Sequence, residues 1–123
     1  MKFLDSNIIV KAFYENDNRE QCQNAIKEGG IIDTFGLSEA FHILEKIVDR
    51  KTAQESIKAI LKSNLEIIDV TVETIFEALK RTKKYKINIF DTIHYVTALF
   101  NNCTAILSYD KDFDNLDIPR KEP

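Results

Sequence analysis

The chain has 123 residues, of which 44% are hydrophobic and 30% are charged, so it has the size of one ordinary domain and can bury a core. Its formal net charge is −3, and it contains only three glycines and two prolines, which excludes a low-complexity or linker-rich protein. No apolar run approaches the roughly 20 residues that a membrane helix needs, and Asp5 lies too early for a signal peptide.

Short apolar runs bounded by glycine or polar residues predict four strands. In chain order these strands cover residues 2–4, 31–35, 65–70 and 105–107. A further short edge strand is expected after Ile118, before the chain frays. Residues 1–123 are therefore expected to form a single domain with a frayed tail of a few residues.

Helical periodicity and capping residues predict six helices between the strands. The expected helix starts are Asp5 or Ser6, Asp17, Ser38, Thr52, Thr71 and Asn88. The helix from Asn88 to about Asn101 is apolar nearly all round, which indicates that it is buried. Because strands alternate with helices, the sequence predicts an α/β fold, a three-layer α/β/α domain whose central sheet is mainly parallel.

Four acidic residues stand where such a fold gathers its functional groups. Asp5 and Asp110 follow strands, whereas Glu39 and Asp91 are placed in the first turns of predicted helices. The carboxyl ends of parallel strands and the starts of the returning helices share one edge of the sheet. Four carboxylates at one edge repel each other unless protons or a cation intervene. A hard cation such as Mg²⁺ or Mn²⁺ prefers oxygen ligands, so the pattern indicates a metal-dependent enzyme acting on phosphate esters.

Each acid also has a purely structural explanation when it is taken alone. Asp5 can cap a helix, Glu39 can be a first-turn acid favoured by the helix dipole, and Asp110 can belong to an acidic turn. Asp91 can form a capping pair with Asn88. Its helix is expected to be buried, however, and a carboxylate at the start of a buried helix needs a compensating partner. The four coincidences together favour a site.

Four motifs give the chain a resemblance to PIN-domain ribonucleases, of the small kind found as VapC-type toxins. The motifs are Phe3-Leu4-Asp5-Ser6-Asn7, Leu37-Ser38-Glu39, Phe90-Asp91-Thr92-Ile93-His94, and Leu107-Ser108-Tyr109-Asp110-Lys111-Asp112-Phe113. The resemblance spans nearly the whole chain, and the ordered set is more specific than any single motif.

The resemblance implies a role for each motif residue. It makes Asp5, Glu39, Asp91 and Asp110 the catalytic, metal-binding acids. It makes Ser6 and Ser108 supporting hydroxyls, with Ser108 in a position where threonine is common. Asn7 is compatible with a further supporting hydrogen bond, and Asp112 is an optional further acid.

The resemblance also implies an activity and partners. The expected activity is that of an endoribonuclease, a hydrolase in which one or two Mg²⁺ (or Mn²⁺) ions bind the scissile phosphate and lower the pKa of a bound water. The expected setting is a toxin–antitoxin pair, in which a small antitoxin protein blocks the acidic edge of a homodimeric toxin. The alternatives within this fold are an RNA-processing PIN nuclease and a non-catalytic PIN-like scaffold. A haloacid-dehalogenase-type phosphatase is disfavoured, because Asn7 stands where its second aspartate would be.

A basic segment lies just before Asn88. Its candidate RNA-binding residues are Lys80, Arg81, Lys83, Lys84 and Lys86. The alternative for most of them is a solvated helix end, where cations are favourable. Setting the four acids aside moves the formal net charge of the chain from −3 to +1, so an anionic substrate is not excluded.

The two histidines lie one turn after predicted site acids, His42 after Glu39 and His94 after Asp91. A structural role is the favoured interpretation for both. Cys22 and Cys103 are too few for a disulfide framework or a zinc site, which predicts free thiols in a reducing cytoplasm.

Overall fold

The computed structural model describes residues 1–123 and contains five strands and six α-helices. The strands are β1 (Lys2–Leu4), β2 (Gly30–Asp33), β3 (Leu65–Ile68), β4 (Ala105–Leu107) and β5 (Arg120–Lys121). The helices are α1 (Ser6–Lys11), α2 (Arg19–Glu28), α3 (Thr34–Ile47), α4 (Arg50–Leu61), α5 (Val72–Arg81) and α6 (Ile89–Phe100), and a 3-10 helix covers Lys111–Asn115. No helix is both long enough and apolar enough to cross a membrane.

The five strands form one sheet in the order β3-β2-β1-β4-β5, and every pair is parallel. The expected α/β class and parallel sheet are confirmed, and the edge strand expected after Ile118 is β5. The central strand β1 lies between β2 and β4, with Phe3 opposite both Ile31 and Ile106. The carboxyl ends of β1 and β4, and hence Asp5 and Ser108, are therefore neighbours.

The apolar side chains of the strands alternate between the two faces of the sheet, and helices pack on each face. Leu4, Ile32 and Leu107 pack with residues of α1, α2, α3 and α4 on one face. Their strand neighbours Phe3, Ile31 and Ile106 pack on the other face with Tyr95 and Ala98 of α6. Successive side chains of a strand point to opposite faces, so each three- or four-residue strand contributes to both layers. The helices cover both faces, as the alternation of elements predicts.

Three predictions in the stretch from β2 to α4 are wrong. The second strand ends at Asp33 instead of residue 35, and Asp33, not Ser38, caps α3 by accepting a hydrogen bond from the Gly36 amide at 2.8 Å. Ser38 lies inside α3 and donates to the Thr34 carbonyl oxygen. Helix α4 likewise begins earlier than expected, because Asp49 accepts from the Thr52 amide and is the cap. Thr71 and Asn88 do cap α5 and α6 as predicted.

Two glycines with positive φ lie where α2 ends and β2 begins, Gly29 at 90° and Gly30, the first residue of β2, at 135°. A Cβ on Gly30 would lie 2.5 Å from the Lys2 carbonyl oxygen of β1, whereas a Cβ on Gly29 would meet nothing closer than the Asn64 carbonyl oxygen at 3.9 Å. Both substitutions to alanine impose an unfavourable φ, but only the one at Gly30 also pushes β1 away from β2.

We expect Gly30→Ala to lower the free energy of unfolding by roughly 2–4 kcal/mol and the matched Gly29→Ala variant by about 1 kcal/mol. Urea unfolding of the two variants beside the wild type measures the difference. Equal destabilisation would show that φ alone accounts for the glycines and that the close approach of the backbone to β1 contributes nothing.

Candidate metal centre

Asp5 directly follows β1 and caps α1, and both of its carboxylate oxygens accept hydrogen bonds. Its Oδ1 accepts from the Ser6 amide at 2.8 Å, and its Oδ2 accepts from the Ser108 hydroxyl at 2.7 Å. The residue is only 5% exposed. Burial raises the pKa of this carboxyl, although the charge of His94 and the two hydrogen bonds act in the opposite direction.

Ser108 links the ends of the two central strands. Its hydroxyl donates to Asp5, and its oxygen accepts from the Asp110 amide at 2.9 Å and from Asn7 Nδ2 at 3.3 Å. One donor and two acceptor sites are all that a hydroxyl offers, so Ser108 is fully used. The supporting positions predicted for Ser108 and Asn7 are thus next to the acids. Ser6 reaches Asp5 through its main-chain amide, and its hydroxyl makes no hydrogen bond to the acids.

Asp91 lies in the first turn of α6 and is 7% exposed. The capping residue Asn88 accepts from the Asp91 amide at 2.8 Å and donates from Nδ2 to Asp91 Oδ2 at 3.0 Å. The capping pair and the site are therefore not alternatives, because the same hydrogen bonds that begin the helix also orient the carboxylate.

Asp91 is shared by two groups of potential metal ligands. Ligand atoms of Asp5, Asp91 and His94 lie within 4.8 Å of one another, and so do those of Asp91, Asp110 and Asp112. Burial, followed by the charge of Asp5, raises the pKa of Asp91 to about 7, and the charges of Asp110 and Glu39 add to the effect. The carboxylates are thus close enough to oppose each other's ionisation.

Glu39 belongs to neither group and is linked to the cluster through His94, a contact that the sequence did not predict. It lies in the second turn of α3, because the helix begins at Thr34. Its Oε1 contacts His94 Nε2 at 2.6 Å, and His94 Nδ1 contacts Asp33 Oδ2 at 2.7 Å. Burial by itself would lower the pKa of His94, but the hydrogen bonds to Asp33 and Glu39 raise it to about 10. The structural role expected for His94 is therefore combined with a place in the site.

The donor set fits a divalent metal ion. The groups that converge are carboxylate oxygens, the ligands that hard cations prefer. Asn7 Oδ1 is buried and has no hydrogen-bond donor in the protein, although its amide nitrogen is bonded to Ser108. A buried acceptor of this kind suits a water molecule held by the cation. The cluster can thus hold a divalent cation, with the carboxylates of Asp5, Asp91, Asp110 and Asp112 as potential ligands.

Some of the basic residues before α6 form ion pairs, and the others are exposed to solvent. Glu77 pairs with Lys80 at 3.8 Å and with Arg81 at 3.1 Å. Lys83 and Lys84 are exposed. Lys86 lines a cleft of about 140 Å³ together with Lys111 and Asp112.

Two residues of this region are not predicted from the sequence as part of the site, and the structural role favoured for His42 finds no hydrogen bond in the structure. Asp33 is predicted in the interior of a strand, although aspartate is among the residues preferred at the start of a helix. Lys111 is predicted only as part of a motif. His42 is exposed on α3 and makes no hydrogen bond.

Acids gathered at the carboxyl edge of a parallel sheet place the chain in the class of α/β proteins whose ligands bind at that edge. Comparison with known proteins identifies the family. Residues 2–119 match the PIN domain, so the chain belongs to the PIN-domain family. The relative named Ribonuclease VapC1, from Aquifex aeolicus (strain VF5), is 33% identical over 126 residues, which cover 94% of this chain and 85% of the relative.

Several solved structures are similar in fold. Mycobacterium tuberculosis VapC20, described as a sarcin-ricin loop cleaving toxin, superposes over 100% of both chains with a TM-score of 0.84 and 12% identity. VapBC2 from Rickettsia felis, bound to a DNA fragment from its promoter, gives a TM-score of 0.76 and 18% identity over 98% of this chain and 97% of the other. At these identities the likeness establishes the fold.

Proposed function

We propose that this chain is a divalent-metal-dependent endoribonuclease, the toxin of a toxin–antitoxin pair, built as one domain over residues 1–123. The observation that carries the proposal is the position of Asp91, whose carboxylate lies within 4.8 Å of potential ligand atoms of Asp5 on one side and of Asp110 and Asp112 on the other. The family membership and the VapC1 relative support the choice of RNA as the substrate.

Asp5, Asp91, Asp110 and Glu39 would hold the cation, and Mg²⁺ or Mn²⁺ suits their oxygens. When bound, the cation supplies charge neutralisation at the phosphate and a more acidic water. Ser108 keeps the carboxylate of Asp5 in place, and Asn88 does the same for Asp91. Asn7 Oδ1, which is buried and has no donor in the protein, can accept a hydrogen bond from a water in the site. Asp112 is exposed at the rim, where it can add a ligand.

The direct test is incubation of the purified chain with a mixed RNA pool in Mg²⁺, in Mn²⁺ and in EDTA, followed by mapping of the new ends. Internal cuts that need a divalent cation support the proposal, and the more effective ion distinguishes Mg²⁺ from Mn²⁺. Metal binding without any cut in a pool that includes ribosomal RNA would favour a non-catalytic scaffold.

The cleft beside Asp112 gives the RNA a path from the acidic centre. Lys86 and Lys111 line it, and neither is paired with a carboxylate. Two free ammonium groups next to a cation site suit the phosphates that flank the cut. The path is short, since Asp112 belongs both to the cleft and to the group that contains Asp91.

We expect replacement of both Lys86 and Lys111 by glutamine to raise KM for RNA by roughly 10-fold while kcat stays close to that of the wild type. The salt dependence of binding should weaken by about 0.7 in log–log slope for each phosphate that the protein no longer neutralises. Lys80→Gln is the control for either single replacement, because it removes one charge from the same region at a residue that is paired with Glu77. An equal effect of the control would show that the general charge of the segment matters and that the cleft does not.

The antitoxin and the homodimer are separate parts of the proposal. A chain of the toxin–antitoxin complex from Klebsiella pneumoniae has the same fold, with a TM-score of 0.73 and 16% identity. A small reading frame beside this gene whose product blocks cleavage would support the pair.

Helix α5 exposes Val72, Phe76 and Leu79 on one face, by 81%, 61% and 54%. An apolar stripe of this kind suits a second copy of the chain, and Phe76→Glu should yield a monomer in analytical ultracentrifugation.

A further inference from the structure

His94 is completely buried and contacts two carboxylates, one through each ring nitrogen. Nδ1 lies 2.7 Å from Asp33 Oδ2, and Nε2 lies 2.6 Å from Glu39 Oε1. Because ionised carboxylates only accept hydrogen bonds, both ring nitrogens must donate. Hydrogen bonds between charged partners are shorter and about twice as strong as neutral ones. Asp33, His94 and Glu39 thus form a continuous relay between α3 and α6.

The inner end of the relay is immobile. Asp33 is fully buried, and its second oxygen, Oδ1, accepts from the Gly36 amide at 2.8 Å as the cap of α3. The orientation of its carboxylate is therefore set by the start of the helix. His94 is in turn held in the interior by Phe3, whose ring centroid lies 5.6 Å away.

The outer end of the relay is Glu39, whose side chain is 34% exposed. A glutamate on a helix surface has several rotamers, and ordering it costs conformational entropy. The bond from His94 holds one carboxylate oxygen and leaves Oε2 without a partner in the protein. Glu39 is therefore held ready with one free oxygen beside the acidic cluster.

The same contacts exclude two other roles for His94. Both ring nitrogens are occupied by carboxylates, so neither has a lone pair to offer a metal ion or to accept a proton from a water. A ring nitrogen of His94 lies within 4.8 Å of carboxylate oxygens of Asp5 and Asp91, but this nitrogen carries a proton and therefore donates a hydrogen bond. The ring is therefore not a metal ligand itself but a hydrogen-bond partner of one, as is usual for the groups that orient metal-binding carboxylates.

From this geometry we infer that Asp33 and His94 are positioning residues, which fix Glu39 in its metal-binding orientation before the cation arrives. The inference rests on the proposed function, since it takes Glu39 to be a ligand.

Asp33→Asn is the sharpest test, because asparagine has the same shape and also caps helices. Its oxygen can still accept from Gly36, while its amide would donate to Nδ1. His94 would then accept at Nδ1 and keep only the proton on Nε2, so the bond to Glu39 remains but its donor loses its positive charge, which weakens the bond. The net charge of the Asp33–His94 pair is unchanged, which leaves the long-range field on the cation nearly as it was.

We expect Asp33→Asn to weaken Mn²⁺ binding, measured by calorimetry, by roughly 10-fold. In a Glu39→Gln background, the same substitution should change Mn²⁺ affinity by less than about twofold, because the ligand on which it acts is already impaired. Proton–nitrogen correlation spectra of the ring should show protons on both nitrogens of wild-type His94 and on Nε2 alone in the variant.

The inference is overturned if Asp33→Asn weakens Mn²⁺ binding equally in the wild-type and in the Glu39→Gln backgrounds, which would indicate a general structural role. It is also overturned if either ring nitrogen of the wild type lacks a proton. Should Asp33→Asn not fold, Asp33→Ser retains a capping residue and removes the contact to His94, and the same coupling is measured with it. These readouts involve no RNA. Failure of the wild type to cleave RNA would therefore reject the nuclease proposal alone, whereas absence of coupling in an active enzyme would reject the relay alone.

Discussion

Replacing Asp91 by asparagine is expected to lower RNA cleavage by roughly 10³-fold or more, while the protein stays folded. Asp91 is the residue common to both groups of potential ligands, so its replacement removes a charge from each. Asparagine can preserve the hydrogen bonds to Asn88 that begin α6. The measurement is the initial rate of cleavage of one mapped RNA, with circular dichroism as the check on the fold.

Asp17→Asn is the control for this variant. Asp17 is exposed and hydrogen-bonds to none of the site residues, so the control removes the same unit of charge from the surface. Its activity should equal that of the wild type. An Asp91→Asn protein that is folded and retains a tenth or more of the wild-type rate would place the catalytic centre elsewhere.

Removing divalent cations with EDTA is expected to stop cleavage completely and to make the stability of the protein depend on pH. Burial and the charge of Asp5 raise the pKa of Asp91 from 3.8 to about 7. Between these two values the folded protein binds more protons than the unfolded chain, so stability falls as the pH rises through this window. The pKa of Asp5 is also raised by burial, which adds a change of the same sign.

The melting temperature measures this linkage. In EDTA the Tm at about pH 8 should lie several degrees below that at about pH 5, because the ionised carboxylates repel each other. Mg²⁺ should raise the Tm at the higher pH and have little effect at the lower one, since a cation favours the ionised forms. Asp91→Asn should reduce the dependence on pH. A Tm in EDTA that rises with pH between about 5 and 8 would contradict the account of Asp91 as a carboxylate destabilised by its neighbours.

The fold could be predicted because each strand and most helices carry local signals. Thr71 and Asn88 stand before periodic apolar residues and cap the helices that follow. The start of α3 could not be placed correctly because Ile31 and Ile32 run into Asp33 and Thr34 without a break in the pattern. The capping role of Asp33 becomes visible only through its bond to Gly36.

The candidate site also has a part that the sequence predicts and a part that it does not. The meeting of Asp5, Asp91 and Asp110 at one edge could be predicted because each lies just beyond a strand or in the first turn of a buried helix, and the parallel topology then brings them together. The relay could not be predicted, since His94 lies 61 residues from Asp33 and 55 from Glu39. Such a contact depends on how α3 and α6 pack, which the periodicity of neither helix specifies.

The central claim is that the acidic cluster holds a divalent cation, and a crystal of the chain grown with Mn²⁺ tests it most directly. Anomalous scattering of Mn²⁺ should give its strongest peak against the carboxylate of Asp91, with Asp5 or Asp110 as a second ligand and Glu39 Oε2 directed toward the same ion. The peak should vanish in Asp91→Asn crystals. A strongest peak away from Asp91, or an unchanged peak in the variant, would contradict the assignment of these residues as the metal centre.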